Sequence, residues 1–146
     1  MGLTMTDFCD RLHKEFPLMY GENTSVWVGE GWEHIIIKLS RAIQNYIDSH
    51  NSRQQWMVDQ GHQLTAVLVP QVTVEQVKEK FGGLRFYYSG GDDYIEGLVA
   101  MAEYWASDTC EMCGERGKSR DDLGWIVTLC DEHHEERKAK ILKDRG

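Results

Sequence analysis

The residues best suited to do chemistry stand near the end of the chain, in "CEMCGERGKSRDDLGWIVTLCDEHHEERK". Cys110 and Cys113 form a CxxC pair, and Cys130 and His133 form a second pair at the same spacing. Three thiolates and one imidazole suffice to close a tetrahedral zinc site, and a glycine directly after Cys113 suits a tight knuckle that turns both sulfurs inward. His134 is the rival fourth ligand, because the first turn of a helix can present either neighbour. Four protein donors leave no position for water or substrate, so the expected Zn2+ is structural rather than catalytic. The remaining cysteine, Cys9, lies far from these pairs and reads as a small apolar packing residue.

Around these ligands the sequence predicts the elements that must hold them. "SRDDLGWIVTL" reads as a β-hairpin with Asp122, Leu123 and Gly124 near its turn. "DEHHEERKAKILKD" reads as a helix with acids in its first turn and bases in its last, which complements the helix dipole. A knuckle, a hairpin, and ligands on the first helical turn make a treble-clef-like zinc module over residues 109–146. "TLCDEHHEERK" also resembles the closing half of HNH endonucleases. Those enzymes need a histidine general base on the intervening hairpin, and residues 114–129 contain no histidine. Without a base to activate water, phosphodiester hydrolysis has no evident agent.

Three further stretches carry polar chemistry. "GGDD" at residues 90–93 matches the metal-binding turn of nucleotidyl-transfer palms, but a helical pattern follows it where a palm would return a strand. It is therefore expected to be a turn, with Asp92 or Asp93 as the helix N-cap. A nucleotide-processing enzyme built on Asp92 and Asp93 would instead need a divalent metal and would lose turnover in Asp93→Ala. "VGEGWEH" offers glycines that could approach a phosphate at a helix start; the plainer reading is a flexible entry loop capped by Trp32, with His34 exposed. Finally, alternation puts Lys78, Lys80, Arg85 and Tyr87 on one face of a hairpin, away from Val77 and Phe86. Such a face suits a nucleotide or an acidic protein surface, and Lys80, Arg85 and Tyr87 are its candidate ligand-binding residues. It is equally the pattern of a solvated sheet face.

The body that carries these stretches, residues 1–108, reads as α+β. Phe8, Leu12 and Phe16 recur at helical spacing over 5–16, and Pro17 stops that helix. Residues 17–31 read as loop, with at most a brief extended piece at "VWVGEG". Ile35, Ile36, Leu39, Ile43 and Ile47 predict an amphipathic helix from Trp32 to about residue 48. The polar "SHNSRQQWMVDQGHQ" (49–63) reads as a mobile loop. "LTAVLVPQVTVEQVKEKF" is rich in β-branched residues, with Pro70 confining any strand there to an edge or a break. "VEQVKEKF" and "LRFYYS" predict two strands joined by a Gly82-Gly83 turn, with Val77 and Phe81 on one face and Leu84, Phe86 and Tyr88 sharing a face of the second strand. Ile95, Leu98, Val99, Ala102, Trp105 and Ala106 predict a helix over 93–107. The fold expected is helices packed on a short antiparallel sheet with the zinc module appended, making one compact domain in all.

Bulk composition narrows the function classes. The chain has 146 residues and a formal net charge of −8, which repels phosphate backbones unless bases cluster locally. Non-specific nucleic-acid binding is not expected. No apolar run nears the ~20 residues of a membrane span. The first residues carry Asp7 and Asp10 and do not read as a signal peptide; Met1-Gly2 with Thr6 only loosely meets a myristoylation pattern. The expected setting is therefore soluble and cytoplasmic, where disulfides are rare.

Taken together, "GEGW", "VKEKFGGLRFYY", "GGDD" and the terminal CxxCG…LCDEH resemble a group of small phage- and prophage-encoded proteins of uncharacterised activity. The resemblance runs from about Gly29 to His133; it departs at Glu30, where an aspartate is expected, and residues 49–70 match nothing in it. It implies a phage origin, a host-cytoplasm setting and a bound zinc. With no nucleophile–base pair and no open metal site, the expected role is a zinc-stabilised accessory protein acting by binding, whose partner is a host protein or a small nucleotide ligand. Interference with an antiviral defence component or its nucleotide signal is the leading form. The alternative is a nucleic-acid-binding module or degenerate HNH-like nuclease, using the zinc hairpin with Lys118 and Arg120.

Overall fold

The computed structural model describes residues 5–64 and 67–145. Four α-helices and two small sheets form an α+β arrangement among them: α1 (Met5–Glu15), β1 (Ser25–Trp27), a 3-10 turn (Glu30–Trp32), α2 (Glu33–Asp59), β2 (Thr73–Lys80), β3 (Gly83–Ser89), α3 (Asp93–Ala106), β4 (Lys118–Arg120), β5 (Val127–Leu129) and α4 (Asp131–Arg145).

The helices form where the apolar spacing placed them. Phe8 and Leu12 of α1 are buried, as are Ile35, Ile36, Leu39, Ile43 and Ile47 of α2 and Ile95, Val99, Ala102 and Ala106 of α3. Together with Val77, Leu84 and Phe86 from the inner sheet face they make one core cluster, and Cys9 packs against it partly buried. Burying such side chains supplies the main driving force, about 1.5–3 kcal/mol for each large one. Within this core Tyr20 and Ser40 satisfy each other at 2.6 Å, and Ser40 also donates to the Ile36 carbonyl. Trp105 departs from the expected stripe: it is 40% exposed, its ring edge-on to the exposed His34.

α2 runs eleven residues past the point where polar composition predicted a loop, ending at Asp59. Residues 49–59 contain no glycine or proline, so nothing in the backbone stops the helix. Gln55 bonds Asp59 one turn on, and Asn51 both donates to the Val69 carbonyl and accepts from the Val69 N–H. The polar residues thus serve the helix and pin the segment that returns to the sheet. Gly61, at φ 88°, marks the exit.

The larger sheet has the order β1-β2-β3 and is mixed rather than purely antiparallel, since β1 pairs β2 in parallel through Val26↔Val77 and Trp27↔Lys78. No strand precedes Thr73 in the described part of the Pro70 segment. Between β2 and β3 the turn is Phe81-Gly82, one residue earlier than the two glycines suggested. Both turn residues have positive φ (53° and 79°), while Gly83 pairs with Lys80 inside the ladder. Two positive φ angles in a two-residue loop match strand twist, and the Glu79 carboxylate accepts the Gly82 N–H at 2.7 Å. Phe81 therefore leaves the face of Val77 and lies 71% exposed. A bulge at Glu75 shifts the register, so that Val74 and Val77 both point into the core.

The GGDD stretch is a turn with a cap. Asp92 Oδ1 accepts from the Ile95 N–H at 3.1 Å, and Oδ2 accepts from the Tyr46 hydroxyl at 2.6 Å. Replacing Asp92 by alanine should cost about 1–2 kcal/mol in urea unfolding, the usual loss for an N-cap. Asp93→Ala should stay within about 0.5 kcal/mol. Equal effects at the two positions would refute this assignment of the cap.

Candidate metal centre

The site is assembled from the segments that enter β4 and leave β5, which the antiparallel pairing of Lys118 with Leu129 brings to the same end of the smaller sheet. Cys110 and Cys113 lie on a backbone knuckle after α3, closed by Gly114 N–H to the Cys110 carbonyl and by Cys110 N–H to the Glu115 carbonyl. Gly114 takes φ 82°, a conformation that favours glycine. β4 and β5 then pair antiparallel through Lys118↔Leu129 and Arg120↔Val127, with Gly124 (φ 93°) in the connection between them. Cys130 ends this hairpin and opens α4, where the His133 N–H reaches its sulfur at 3.4 Å.

The structure brings Cys110, Cys113, Cys130 and His133 together, with one donor atom from each and all within 4.8 Å of one another. The sulfurs of Cys113 and Cys130 are 3.8 Å apart, too far for a disulfide. His133 Nδ1 lies 3.2 Å from the Cys130 sulfur and 3.7 Å from that of Cys110. For bonds of about 2.3 Å to sulfur and 2.0–2.1 Å to nitrogen, a tetrahedron has edges of about 3.6–3.8 Å. The Cys113–Cys130 and Cys110–His133 separations match those edges, and the four donors together could hold one metal ion. His133 Nε2 faces Glu136 at 3.9 Å, a carboxylate on the side away from the sulfurs.

Electrostatics at the knuckle also suit a cation. Burial raises the Cys110 thiol, but backbone hydrogen bonds at Cys130, Cys113 and Met112 outweigh it and bring it down to about 7. Burial pushes the Cys113 thiol up to about 11, with the neighbouring Cys110 and Cys130 sulfurs adding to the rise. Negative charge gathers readily on one sulfur and is resisted on the next, a conflict that a bound cation removes.

His134 faces elsewhere. It is buried, and its Nε2 meets both carboxylate oxygens of Asp122 at 2.9 and 3.0 Å. That hydrogen bond holds the Asp122 carboxyl below the usual carboxylate range. The pair ties the β4–β5 connection to α4 beside a small second core of Cys110, Leu123, Val127 and Leu129.

The "GEGW" stretch leads into α2 through the 3-10 turn Glu30–Trp32, with Trp32 at the helix N-cap position as expected, and its glycine N–H groups are turned to protein rather than to a phosphate. Glu111, between the two knuckle cysteines, takes its donors: the carboxylate accepts the Gly29 N–H at 3.0 Å, and the carbonyl accepts the Gly31 N–H at 2.7 Å. Burial raises the Glu111 carboxyl, and the Gly29 hydrogen bond works against that rise. The approach is backbone on backbone. A Cβ on Gly29 would stand 2.4 Å from the Glu111 carbonyl oxygen, and one on Gly31 would stand 2.1 Å from that of Cys110. Fully buried Trp32 completes the joint, its indole N–H donating to the Thr109 carbonyl at 2.8 Å. Nothing in the spacing of these residues announced the joint; only the paired glycines hinted at close approach.

Lys78, Lys80, Arg85 and Tyr87 share the outward face of the larger sheet, with the Lys78 ammonium 5.7 Å from the centre of the Tyr87 ring. Trp27 joins them, 64% exposed and paired to Lys78 across β1. Sequence reasoning missed it because β1 has only three residues. Arg85 Nη1 donates to the Leu84 carbonyl at 3.2 Å. Arg120 is spent within the fold, bonding Asp131 at 2.6 Å and the Leu129 carbonyl at 3.2 Å.

Compared with protein-family models, curated proteins and solved structures, the chain matches none. No described helix is long and apolar enough to cross a membrane.

Two outcomes test the site. Gly31→Ala should destabilise by well over ~1 kcal/mol because backbone must move, whereas Gly21→Ala, where a Cβ meets nothing within 4 Å, should stay within about 0.5 kcal/mol. Stripping metal with a chelator should abolish amide-exchange protection across residues 110–145 while leaving the α2 core protected. Unchanged protection would show that no metal supports this region.

Proposed function

We propose that the chain is a zinc-stabilised accessory protein, of the kind phages and prophages carry, which acts by binding and interferes with a host factor such as an antiviral defence component or its nucleotide signal. The observation that carries this reading is the open sheet face on which Lys80, Arg85 and Tyr87 sit together, in a chain whose net charge is −8. Basic and aromatic groups gathered on one surface of an acidic protein form a local site for an anionic partner.

The metal cluster supports a structural role. Three thiols and an imidazole favour zinc, and four protein donors gathered within 4.8 Å of one another would leave a four-coordinate ion no position for a substrate. A knuckle, a hairpin and a helix whose first turn supplies the last ligand are consistent with a treble-clef-like module. Four free cysteines among the described residues suit a reducing host cytoplasm. The reading of the zinc hairpin as a nucleic-acid module draws less support, because of its two candidate bases Arg120 is engaged by Asp131, and only Lys118 of that pair is exposed.

Native mass spectrometry of the chain purified from an infected bacterial host, followed by denaturation, tests this reading. The expected result is one zinc per chain, with a nucleotide or a host protein retained by the native protein and lost in Lys80→Ala/Arg85→Ala. A chain without zinc, or one whose retained partner is indifferent to both substitutions, would sink it.

A further inference from the structure

The sheet face has an order that narrows its ligand. Pairing sets Trp27, Lys78 and Arg85 in one row across β1, β2 and β3, and Gln76 and Tyr87 in the row beside it. Adjacent strands lie about 4.8 Å apart, so Trp27 and Arg85 stand about 10 Å apart with Lys78 between them. Lys80 lies beyond, toward the turn. The outward positions Gln76, Lys78, Lys80, Arg85 and Tyr87 carry no carboxylate; Glu79 turns to the Gly82 N–H, and the Glu75 carboxylate borders the face at its far end, accepting from Ser89 Oγ at 3.2 Å.

Trp27 is 64% and Tyr87 40% exposed, and the Lys78 ammonium stands over the Tyr87 ring at 5.7 Å from its centre. The face is open and slightly ridged; the cavities beside Cys9 and Tyr20, at Arg116 and Lys118, beneath Pro17 and Thr73, and between Arg11 and His34 are all lined by other residues. A small ligand gains affinity by being enclosed on most of its surface, which an open sheet cannot provide. A strand crossing the sheet instead adds several weak contacts, with bases stacked on rings and phosphates beside cations. A rigid duplex hides the faces of its bases and could use the cations alone.

We infer that this face binds single-stranded nucleic acid, with bases stacking on Trp27 and Tyr87 and backbone phosphates meeting Lys78, Lys80 and Arg85. The inference rests on the sheet face being the binding surface, as proposed above, and replaces a small nucleotide by a strand as its occupant. Charge complementarity is local. The chain is acidic overall, with a net charge of −8, and Lys78, Lys80 and Arg85 gather their positive charge on this face beside the two rings.

Fluorescence anisotropy with a labelled oligothymidylate about 20 nucleotides long, at low and at physiological salt, tests it on the zinc-loaded full chain. Trp27→Ala should weaken binding by at least about fivefold, the lower end for losing one stacked base. Lys78→Ala with Arg85→Ala should weaken it further and flatten the logarithmic salt slope by about 1.4, for two single-strand phosphate contacts. Thermal unfolding of each variant checks that these outward substitutions leave the fold intact. A duplex of matched length, thymidine monophosphate and polyglutamate serve as competitors. Binding that is indifferent to Trp27→Ala, or a duplex or monophosphate competing as well as the strand per mole, would overturn the inference. Polyglutamate or monophosphate binding lost in the Lys78/Arg85 variant, without strand binding, would overturn the strand alone and leave the sheet face standing. No binding by any of these probes at low salt would overturn both.

Discussion

The architecture depends on one backbone contact, that of the Cys110–Gly114 knuckle on Gly29–Trp32. Glu111 makes it with three groups at once: its N–H donates to the Thr128 carbonyl, its carbonyl accepts from Gly31, and its carboxylate accepts from Gly29. A residue placed between two metal donors thereby joins the start of α2 to the hairpin that carries the third. The carboxylate also stands where a helix start favours negative charge. Glycine at positions 29 and 31 is what allows the approach, since any Cβ there would overlap knuckle backbone. The candidate metal-ligating cysteines, the knuckle that carries them and the entry of the longest helix are consequently joined in one unit.

A second joint sets the larger sheet against that unit. The Thr128 hydroxyl donates to the Gly82 carbonyl at 2.6 Å, so the tip of the β2–β3 hairpin rests on β5. Gly82 is closely packed against Ile126 and Val127, and the turn conformation expels Phe81 into solvent. The inner face of the sheet is committed to the core, and its end is committed to the metal module. Its outward face is what remains for a partner.

Periodic burial was the most legible part of the sequence. The stripes of α1, α2 and α3 were readable because a helix repeats its buried positions over several turns, and the paired ligands were readable because metal geometry dictates short spacings. Polar composition misled at residues 49–59, where Asn51 and Gln55 are polar because they bond Val69 and Asp59, not because the chain leaves the helix. The turn at Phe81-Gly82 was misplaced because glycine was expected at both positive-φ positions, and an aromatic residue holds one of them. Trp27 and the Glu111 joint were illegible for another reason: three-residue strands and contacts between residues 82 positions apart leave no local pattern.

The separation of metal from open surface bears on how such a chain can act. At physiological ionic strength, exposed charges act over roughly 8 Å, so the acidic side chains elsewhere set the approach of a partner more than its final contacts. Within the Trp27–Lys78–Arg85 row, contact is governed by the cations and rings at hand. The acidic body weakens any long-lived hold on a large anion that cannot also use the rings, because the cations alone must then offset repulsion from the rest of the chain. For the strand proposed as the occupant of this face, selectivity would come from stacking on Trp27 and Tyr87. The Cys/His cluster lies away from this row and connects to it through β5, whose Thr128 hydroxyl donates to the Gly82 carbonyl at the tip of the β2–β3 hairpin.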